Sequence, residues 1–417
     1  MSARALLVTG SLALAGLLAA PAAQAQMNFA QVQAEWAQNY DAATTMRVQR
    51  VDTPVLSRET LAATEQTIAR YADIVARGGW GTVPNARLSL GDRSPAVMDL
   101  RRRLIMSGDL DPTAGSSEVF DSFVEAAVRR FQSRHGLTAT GALNASTITA
   151  LNIPAQVRLQ QLELNVVRLR SYSGDLGQRH VIVNIPAASV EAVADGVVAS
   201  RHAAGVGKID RQSPIFNSRI IEVNFNPFWT VPASIIRRDL IPKMRQDPNY
   251  LTDMRIRIYN GRGEEVDPRT VNWNSDEATR FMFRQDPGGE FNSMGFVRIN
   301  IPNSHGVFMH DTPARGIFGE DFRFVSSGCV RVQSVRDLIE FLLAETPGWD
   351  RTQIDATFRS GERIDARLSR AVNVYWTYIT AWATPDGLVH FRDDIYQRDG
   401  IPGVPMAKLP GEEEVVN

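Results

Sequence analysis

Cysteine is almost absent from this sequence, since Cys329 is the only one among 417 residues. A single cysteine cannot form a disulfide within the chain, so a disulfide-stapled scaffold is excluded. The six histidines are scattered, and no two stand at a known ligand spacing with a carboxylate, so we expect no metal site and no cofactor. The formal net charge is only −1, which argues against nucleic acid or an anionic membrane as a partner.

Long apolar runs are also missing, apart from one near the start of the chain. Arg4 precedes an apolar stretch over residues 6–20, and Ala23-Gln24-Ala25 has the small residues of a cleavage site. Residues 1–25 are therefore predicted to be a secretory signal peptide, cleaved near Ala25, with no membrane span in the mature protein. The alternative, an uncleaved membrane anchor, is disfavoured because the run is short, contains Gly10 and Gly16, and is followed by Pro21.

The cysteine stands in a segment of residue types that suit catalysis. His310 precedes Cys329 by nineteen positions, and histidine is the side chain best matched to taking a proton from a thiol near neutral pH. Gly328 allows a tight turn, so that successive backbone N–H groups can point toward one oxyanion. A lone cysteine is more often a buried structural residue. The export signal and the Ser326-Ser327-Gly328 turn favour a catalytic cysteine instead.

The segment from His310 to Arg331 resembles the catalytic motif of the L,D-transpeptidases with YkuD-type domains, which cross-link bacterial cell-wall peptides. That motif has a histidine segment, a spacer, and Ser or Thr, any residue, Gly and Cys, followed by an apolar residue and Arg or Asn. Many members have histidine before the glycine, where this chain has Ser327. The reading Ser-Ser-Gly-Cys-Val-Arg-Val is typical of the large proteobacterial, YcbB-like branch with a substrate-capping lid. A tyrosine is common two residues before the histidine in that branch, and here the position is Phe308.

The resemblance implies acyl transfer through a thioester. Cys329 would be the nucleophile and His310 the general acid and base, oriented by the backbone carbonyl of Asp311. The backbone N–H groups of Cys329 and Gly328, with that of Ser327, would stabilise the oxyanion.

Further residues are predicted to contact the substrate, each with a structural alternative. Arg331 either binds a substrate carboxylate or pairs with a buried acid that holds the loop. The two serines shape the loop or contact substrate, and Trp229 is a lid residue, a core anchor or both. His305 either contacts the groove, or faces the side opposite to His310 on the predicted strand, or lies in the turn before that strand. The predicted substrate-binding set is Arg331, Ser327, Ser326, Phe308, Trp229 and His305.

A second motif lies before the catalytic region. An amphipathic helix is predicted to bury a stripe from Phe120 to Phe131 that includes Phe123, and Gly136 stands where a glycine would end the helix. These positions resemble the three-helix peptidoglycan-binding domain, although nearly all of them are core or cap residues and do not locate a ligand groove. The matching residues are Ala127, Val128, Phe131, Gln132, Gly136 and Leu137.

Alternating apolar residues then predict a mainly β region, with strands near 181–185, 220–225 and 296–301. We therefore predict an α+β multidomain fold, in which a mainly β catalytic domain carries an inserted helical lid and follows an all-α scaffold and a three-helix peptidoglycan-binding domain. The expected boundaries are a signal peptide (1–25), a helical scaffold (26–80), the peptidoglycan-binding domain (81–155), a helical linker (156–178), the catalytic domain (179–345) with a capping subdomain at about 233–280, and a C-terminal extension with a hairpin over 373–393 and a disordered tail (346–417).

The resemblance also implies the partners: peptidoglycan glycan strands, their stem peptides, and carbapenem inhibitors that acylate the cysteine. The expected reaction, in the periplasm, releases D-Ala from a donor tetrapeptide and forms a 3→3 cross-link. Three alternatives stay open. The same site would serve an L,D-carboxypeptidase or endopeptidase, or attach a lipoprotein to the wall, and the chain would otherwise be a non-catalytic wall-binding protein.

Overall fold

A computed structural model of the chain describes residues 52–404. The predicted signal peptide, the first part of the predicted scaffold and the predicted disordered tail lie outside the described residues. Within residues 52–404, no helix is long and apolar enough to cross a membrane, and no cluster of side chains is suited to a metal ion. The helices are α1 (Arg58–Ala76), α2 (Ala96–Ser107), α3 (Ser122–Arg134), α4 (Ala145–Leu151), α5 (Ala155–Arg170), α6 (Ala233–Ile235), a π-helical turn (Ile236–Leu240), α7 (Ile241–Gln246), α8 (Tyr250–Asp253), α9 (Val335–Leu343) and α10 (Arg351–Ser360), with 3₁₀ turns at Pro112–Ala114, Pro268–Thr270, Asp276–Arg280 and Arg315–Gly319.

The strands form two sheets and a short hairpin. The first sheet has nine strands and the second has four. The strands are β1 (Arg179–Asn184), β2 (Ser189–Ala194), β3 (Val197–Gly207), β4 (Phe216–Phe225), β5 (Trp229–Thr230), β6 (Ile256–Tyr259), β7 (Glu265–Val266), β8 (Met282–Gln285), β9 (Val297–Asn300), β10 (Met309–His310), β11 (Phe324–Ser326), β12 (Val330–Val332), β13 (Ile364–Thr377), β14 (Ala381–Ala383) and β15 (Val389–Phe391).

Helix α1 packs against the β14–β15 hairpin through a buried face that is rich in threonine. Ser57 caps the helix by accepting from the backbone N–H of Thr60. The hydroxyl of Thr64, inside the same buried face, accepts from the backbone N–H of Ala383 in β14 at 2.9 Å. This threonine face fixes the helix to the β14–β15 hairpin by a hydrogen bond that apolar side chains could not make.

The predicted peptidoglycan-binding unit is built from α2, α3 and α4 around one apolar core. Asp121 caps α3 by accepting from Val124, and Gly136 follows the helix with a φ of +73°, as the sequence predicts. The prediction that Phe123 belongs to the buried stripe is wrong, because this residue is 64% exposed. It lies in the first turn, at the edge of the stripe, where the helix faces solvent.

The nine-stranded sheet has the order β11-β3-β12-β10-β9-β4-β13-β1-β2, and β2 also pairs with β3. Eight strands therefore close on themselves, and β11 pairs with the last two residues of β3, Val206 and Gly207. Apolar side chains of the sheet pack with one face of α9, which carries Leu338, Ile339 and Leu342 as predicted. The closed sheet gives the site a rigid base.

Residues 364–377 correct the predicted end of the catalytic domain. They form β13, which pairs with β1 in parallel and with β4 in antiparallel orientation. The sequence predicts a C-terminal extension here, but the segment is a central strand of the catalytic sheet. The predicted hairpin is real only in its second part, because Val374 to Thr377 belong to β13 while β14 and β15 pair with each other.

The inserted segment contains more than helices. Its four-stranded antiparallel sheet has the order β5-β8-β6-β7, and it joins α6 to α8 around a separate apolar core. The subdomain begins at β5 and ends at β8, so it extends beyond the predicted 233–280. Asn226, just before it, has a φ of +45° and donates to the carbonyl of Glu362 at 2.7 Å, which fixes the chain where it leaves the main sheet.

Candidate active site

Strand pairing brings the histidine and the cysteine together. His310 ends β10, and Cys329 directly precedes β12, which pairs with β10 in parallel. The backbone N–H of Val330 donates to the carbonyl of Phe308 at 3.0 Å, so the residue after the cysteine is fixed beside the residue two before the histidine. The eighteen residues between them therefore form a loop whose two ends are neighbouring strands.

The imidazole of His310 is held by its own neighbour. Its Nδ1 lies 2.6 Å from the backbone carbonyl oxygen of Asp311. A carbonyl only accepts, so Nδ1 carries the hydrogen and Nε2 is the nitrogen with a free lone pair. Burial, followed by the charge of Arg331, lowers the pKa of His310 to about 3, while the bond to Asp311 acts in the opposite direction. The resting imidazole is therefore neutral.

The thiol of Cys329 is also neutral at rest. Burial raises its pKa to about 11, although a hydrogen bond with the backbone of Phe308 and the charges of Arg298 and Arg331 oppose the shift. Both groups are therefore uncharged before the reaction begins, and the site does not hold a thiolate–imidazolium pair. The proton must then move as the sulfur attacks rather than beforehand.

The turn before the cysteine is stabilised by a serine. The hydroxyl of Ser326 donates to the carbonyl of Cys329 at 2.5 Å and accepts from the backbone N–H of Gly328 at 3.1 Å. The predicted oxyanion donor Gly328 thus has its hydrogen directed to Ser326, because the φ of +112° turns that peptide toward the serine. Among residues 52–404, the backbone N–H of Cys329 and that of Ser327 have no acceptor, so these two are the available donors.

A pocket of about 440 Å³ lies between this turn and the inserted subdomain. It brings together all the predicted substrate-binding residues with the cysteine and the histidine. Gly328 and Asp311 do not line the pocket. The backbone carbonyl of Asp311 contacts His310, and the backbone N–H of Gly328 donates to Ser326. The lining residues predicted from sequence are Trp229, His305, Phe308, His310, Ser326, Ser327, Cys329 and Arg331.

The family comparisons agree with this geometry. Residues 178–353 match the model of the YkuD L,D-transpeptidase catalytic domain, and residues 93–151 match that of a peptidoglycan-binding domain. This chain carries a YkuD-type L,D-transpeptidase domain. Strand β13, at residues 364–377, completes its sheet beyond the end of the match.

A relative in Haemophilus influenzae, named "Putative L,D-transpeptidase", is 33% identical over 240 residues. The match covers 58% of this chain and 48% of that protein, so the chain spans about half the length of the curated relative. Solved L,D-transpeptidases from Stackebrandtia nassauensis and Mycobacterium smegmatis are 12% and 11% identical, with TM-scores of 0.26 and 0.25. They cover 74% and 48% of this chain, and 98% and 58% of their own chains.

The structural alternatives for three of the predicted substrate-binding residues can now be judged. Arg331 lies on β12 with no carboxylate within ion-pair distance among residues 52–404, so the alternative of a buried acid partner is wrong for the described chain. His305 lies in the turn before β10 and also lines the pocket. Trp229 is both a lid strand residue and a partly buried neighbour of the lid core.

Sequence reasoning missed two arginines of this domain. Arg298 stands opposite His310 in β9, and its guanidinium lies over the ring of Phe308 at 4.5 Å. Arg211, from the loop after β3, reaches the hydroxyl of Ser327. Neither arginine stands at a fixed distance in the sequence from the catalytic motif. Arg298 reaches the site because β9 pairs with β10, and Arg211 reaches it because the loop after β3 packs against the turn. Only the three-dimensional fold could find them.

Proposed function

We propose that the protein is an exported peptidoglycan L,D-transpeptidase that forms 3→3 cross-links between stem peptides. The observation that carries the proposal is the hydrogen bond from His310 Nδ1 to the carbonyl of Asp311. It leaves Nε2 as a base in the same pocket as the single cysteine. An orienting group, a base and a nucleophile are the three parts of an activated thiol site.

The proposed reaction has two acyl-transfer steps. The sulfur of Cys329 attacks the carbonyl of the third residue of a donor tetrapeptide, and its proton passes to Nε2 of His310. The C–N bond then breaks, and the same proton goes to the leaving amine of D-Ala. In the second step an amine of another stem gives its proton to Nε2 and attacks the thioester. The C–S bond breaks, and the proton passes from Nε2 to the sulfur, which restores the thiol.

Two backbone N–H groups stabilise the proposed tetrahedral oxyanion, those of Cys329 and Ser327. Loss of one such donor typically costs about 3–4 kcal/mol in the transition state. Their orientation depends on the hydrogen bonds of Ser326, which hold the turn closed. The turn is therefore the part of the site that lowers the barrier, while His310 moves the proton.

The charge of Arg331 fits a donor stem. Its guanidinium lines the pocket and has no carboxylate within ion-pair distance in the described part of the chain, and a stem peptide ending in D-Ala carries a carboxylate one residue beyond the scissile bond. The third residue of the proposed donor is a diaminopimelate. The peptidoglycan-binding domain would hold glycan strands and raise the local concentration of stems around the site.

Transfer is favoured over hydrolysis by the inserted subdomain. It covers the pocket, and His310 keeps only 6% of its surface exposed, which limits the access of water to a thioester. A non-catalytic wall-binding protein has no use for a base held toward a thiol. Carboxypeptidase, endopeptidase and lipoprotein transfer use the same first step and differ only in the acceptor.

We also propose that the protein is exported to the periplasm, with residues 1–25 as its cleaved signal peptide. A carbapenem is a strained cyclic amide that the same thiol would open, so such drugs are proposed inhibitors.

Intact-protein mass spectrometry after incubation with meropenem tests the first step. We expect one adduct on the wild type and none on Cys329→Ala, and His310→Asn should acylate far more slowly.

The acceptor is tested with purified disaccharide tetrapeptides. A dimer lacking one D-Ala, formed by the wild type and not by Cys329→Ala, identifies the transpeptidase. A tripeptide as the sole product would instead identify a carboxypeptidase. Folded protein that forms neither adduct nor product would contradict the enzyme proposal and leave the wall-binding function.

A further inference from the structure

Arg211 connects three parts of the molecule. It lies in the loop between β3 and β4, and its side chain is 14% exposed. Nη1 and Nη2 contact the two carboxylate oxygens of Asp239, at 2.6 and 3.1 Å, in the π-helical turn of the inserted subdomain. The same Nη1 donates to the hydroxyl of Ser327 at 3.0 Å. One guanidinium thus joins the lid to the turn that carries the nucleophile.

The loop that bears Arg211 has no room to shift. The hydroxyl of Ser213 donates to the carbonyl of Gly328 at 2.8 Å and accepts from the backbone N–H of Gly207 at 2.9 Å. Tyr396 donates to the carbonyl of Gly207 at 2.5 Å. A Cβ atom at Gly207 would lie 2.3 Å from the carbonyl oxygen of Arg211, so the backbones are in direct contact. The backbone from which the Arg211 side chain extends is therefore held in place by these contacts.

A competing acid lies beside the same guanidinium. Nε of Arg211 is 3.5 Å from a carboxylate oxygen of Asp210, which is mostly exposed. Asp239 makes the closer, two-point contact and directs the guanidinium toward the pocket. Without Asp239, the charge would be drawn to Asp210, and Ser327 would lose its donor. In the structure the same guanidinium contacts the lid carboxylate and Ser327 together.

We infer that Arg211 is a positioning residue, through which contact of the lid with the pocket orders the Ser327–Cys329 turn. The inference rests on the proposed function for its kinetic consequence, since Ser327 and Cys329 carry the proposed oxyanion donors. A lid that moves away would release Arg211 and loosen those donors. Lid position and transition-state stabilisation are then linked, so that acylation proceeds fast only in the covered pocket.

Kinetics of acylation by meropenem test the link. Arg211→Ala and Asp239→Ala should each lower the acylation rate constant by about tenfold or more, as expected for weakened oxyanion donors. The double variant should be no slower than either single variant, because both remove the same connection. Arg211→Lys keeps the charge but not the two-point contact, so it should recover the rate only in part.

Arg237→Ala is the matched control. It removes an arginine of the same lid turn, whose partner Asp276 is also in the lid, at 2.8 Å. We expect its acylation rate to stay within about twofold of the wild type, as for an exposed ion pair. Additive losses in the double variant, or an unchanged rate in Asp239→Ala, would overturn the inference.

A measurement that needs no activity separates this inference from the proposed function. Hydrogen–deuterium exchange of the peptide covering residues 326–332 should be faster in Asp239→Ala than in the wild type, and unchanged in Arg237→Ala. If the wild type forms no adduct while this difference is present, the proposed function fails and the positioning role stands. Unchanged exchange in Asp239→Ala would refute the positioning role whatever the activity.

Discussion

His310 and Arg331 stand directly opposite each other in the paired strands β10 and β12. The arginine charge next to a buried imidazole disfavours the imidazolium form, and it is the second cause, after burial, of the low pKa of His310. Many thiol enzymes rest as a thiolate–imidazolium pair. In this site the burial of both groups and the position of Arg331 favour the neutral pair instead.

The first prediction follows from that neutral pair. Alkylation by iodoacetamide requires the thiolate, and the pKa of Cys329 is raised to about 11. Cys329 should therefore react slowly at pH 7, and its rate should rise with pH between about 9 and 11. The protein unfolded in urea is the control, since its thiol has an ordinary pKa and should react faster at every pH below 9. A fast rate that is constant from pH 5 to 8 would instead reveal an ion pair.

The second prediction concerns the support of His310 from behind. Gly295 has a φ of +58°, and a Cβ there would lie 2.4 Å from Oδ2 of Asp311, which accepts from the backbone N–H of Phe296. Gly295→Ala must therefore displace Asp311, whose carbonyl holds the imidazole. We expect acylation by meropenem to slow by about tenfold or more, in line with a catalytic group moved by about 1 Å.

Gly263→Ala is the matched control for that substitution. Gly263 has a similar φ of +82° in a lid turn, and a Cβ there would contact nothing within 4 Å. Both variants pay the same backbone strain of about 1–3 kcal/mol, which thermal unfolding measures. Equal acylation rates in the two variants would show that Asp311 does not position His310.

The motif predicted the composition of the pocket better than the architecture around it. A motif specifies residues that are close in the chain, and Ser326 to Arg331 form one turn and one strand. The lid sheet was missed because β5 and β7 have two residues each, too few for an alternating pattern. Strand β13 was missed because its register shifts between Arg367 and Val372, where an exposed polar stretch interrupts the apolar alternation.

The oxyanion donors show the same limit at the level of single atoms. The sequence indicates that Gly328 turns the chain, and its φ of +112° agrees. Whether its N–H faces the pocket or the hydroxyl of Ser326 depends on the rotation of one peptide plane. Residue identities do not determine that rotation. In the structure the hydroxyl of Ser326 accepts that N–H, and Ser213 fixes only the next peptide plane, through the carbonyl of Gly328.

The third prediction assigns Arg331 to a substrate carboxylate. Arg331→Gln should lower kcat/KM for a tetrapeptide with a free terminal carboxylate by about 10- to 100-fold, since a hydrogen bond to a charged group contributes about 1.5–3 kcal/mol. The same peptide with a terminal amide is the control, and its kcat/KM should be low and nearly equal in both proteins. If Arg331→Gln slows the two peptides equally, the arginine acts on the catalytic pair and not on the carboxylate.

The last prediction concerns the attachment of the peptidoglycan-binding domain. Asp109 and Arg134 form an ion pair at 2.5 Å with side chains only 1% and 2% exposed, and Nη1 of the same arginine donates to the carbonyl of Val389 in β15. Asp109→Asn leaves the buried guanidinium without its counter-charge, which typically costs about 3–5 kcal/mol. Urea unfolding should show a loss of that size, whereas Asp73→Asn, which breaks the exposed pair with Arg77, should cost less than about 1 kcal/mol. Similar losses in the two variants would contradict the prediction, because they would mean that water screens the buried pair as it screens the exposed one.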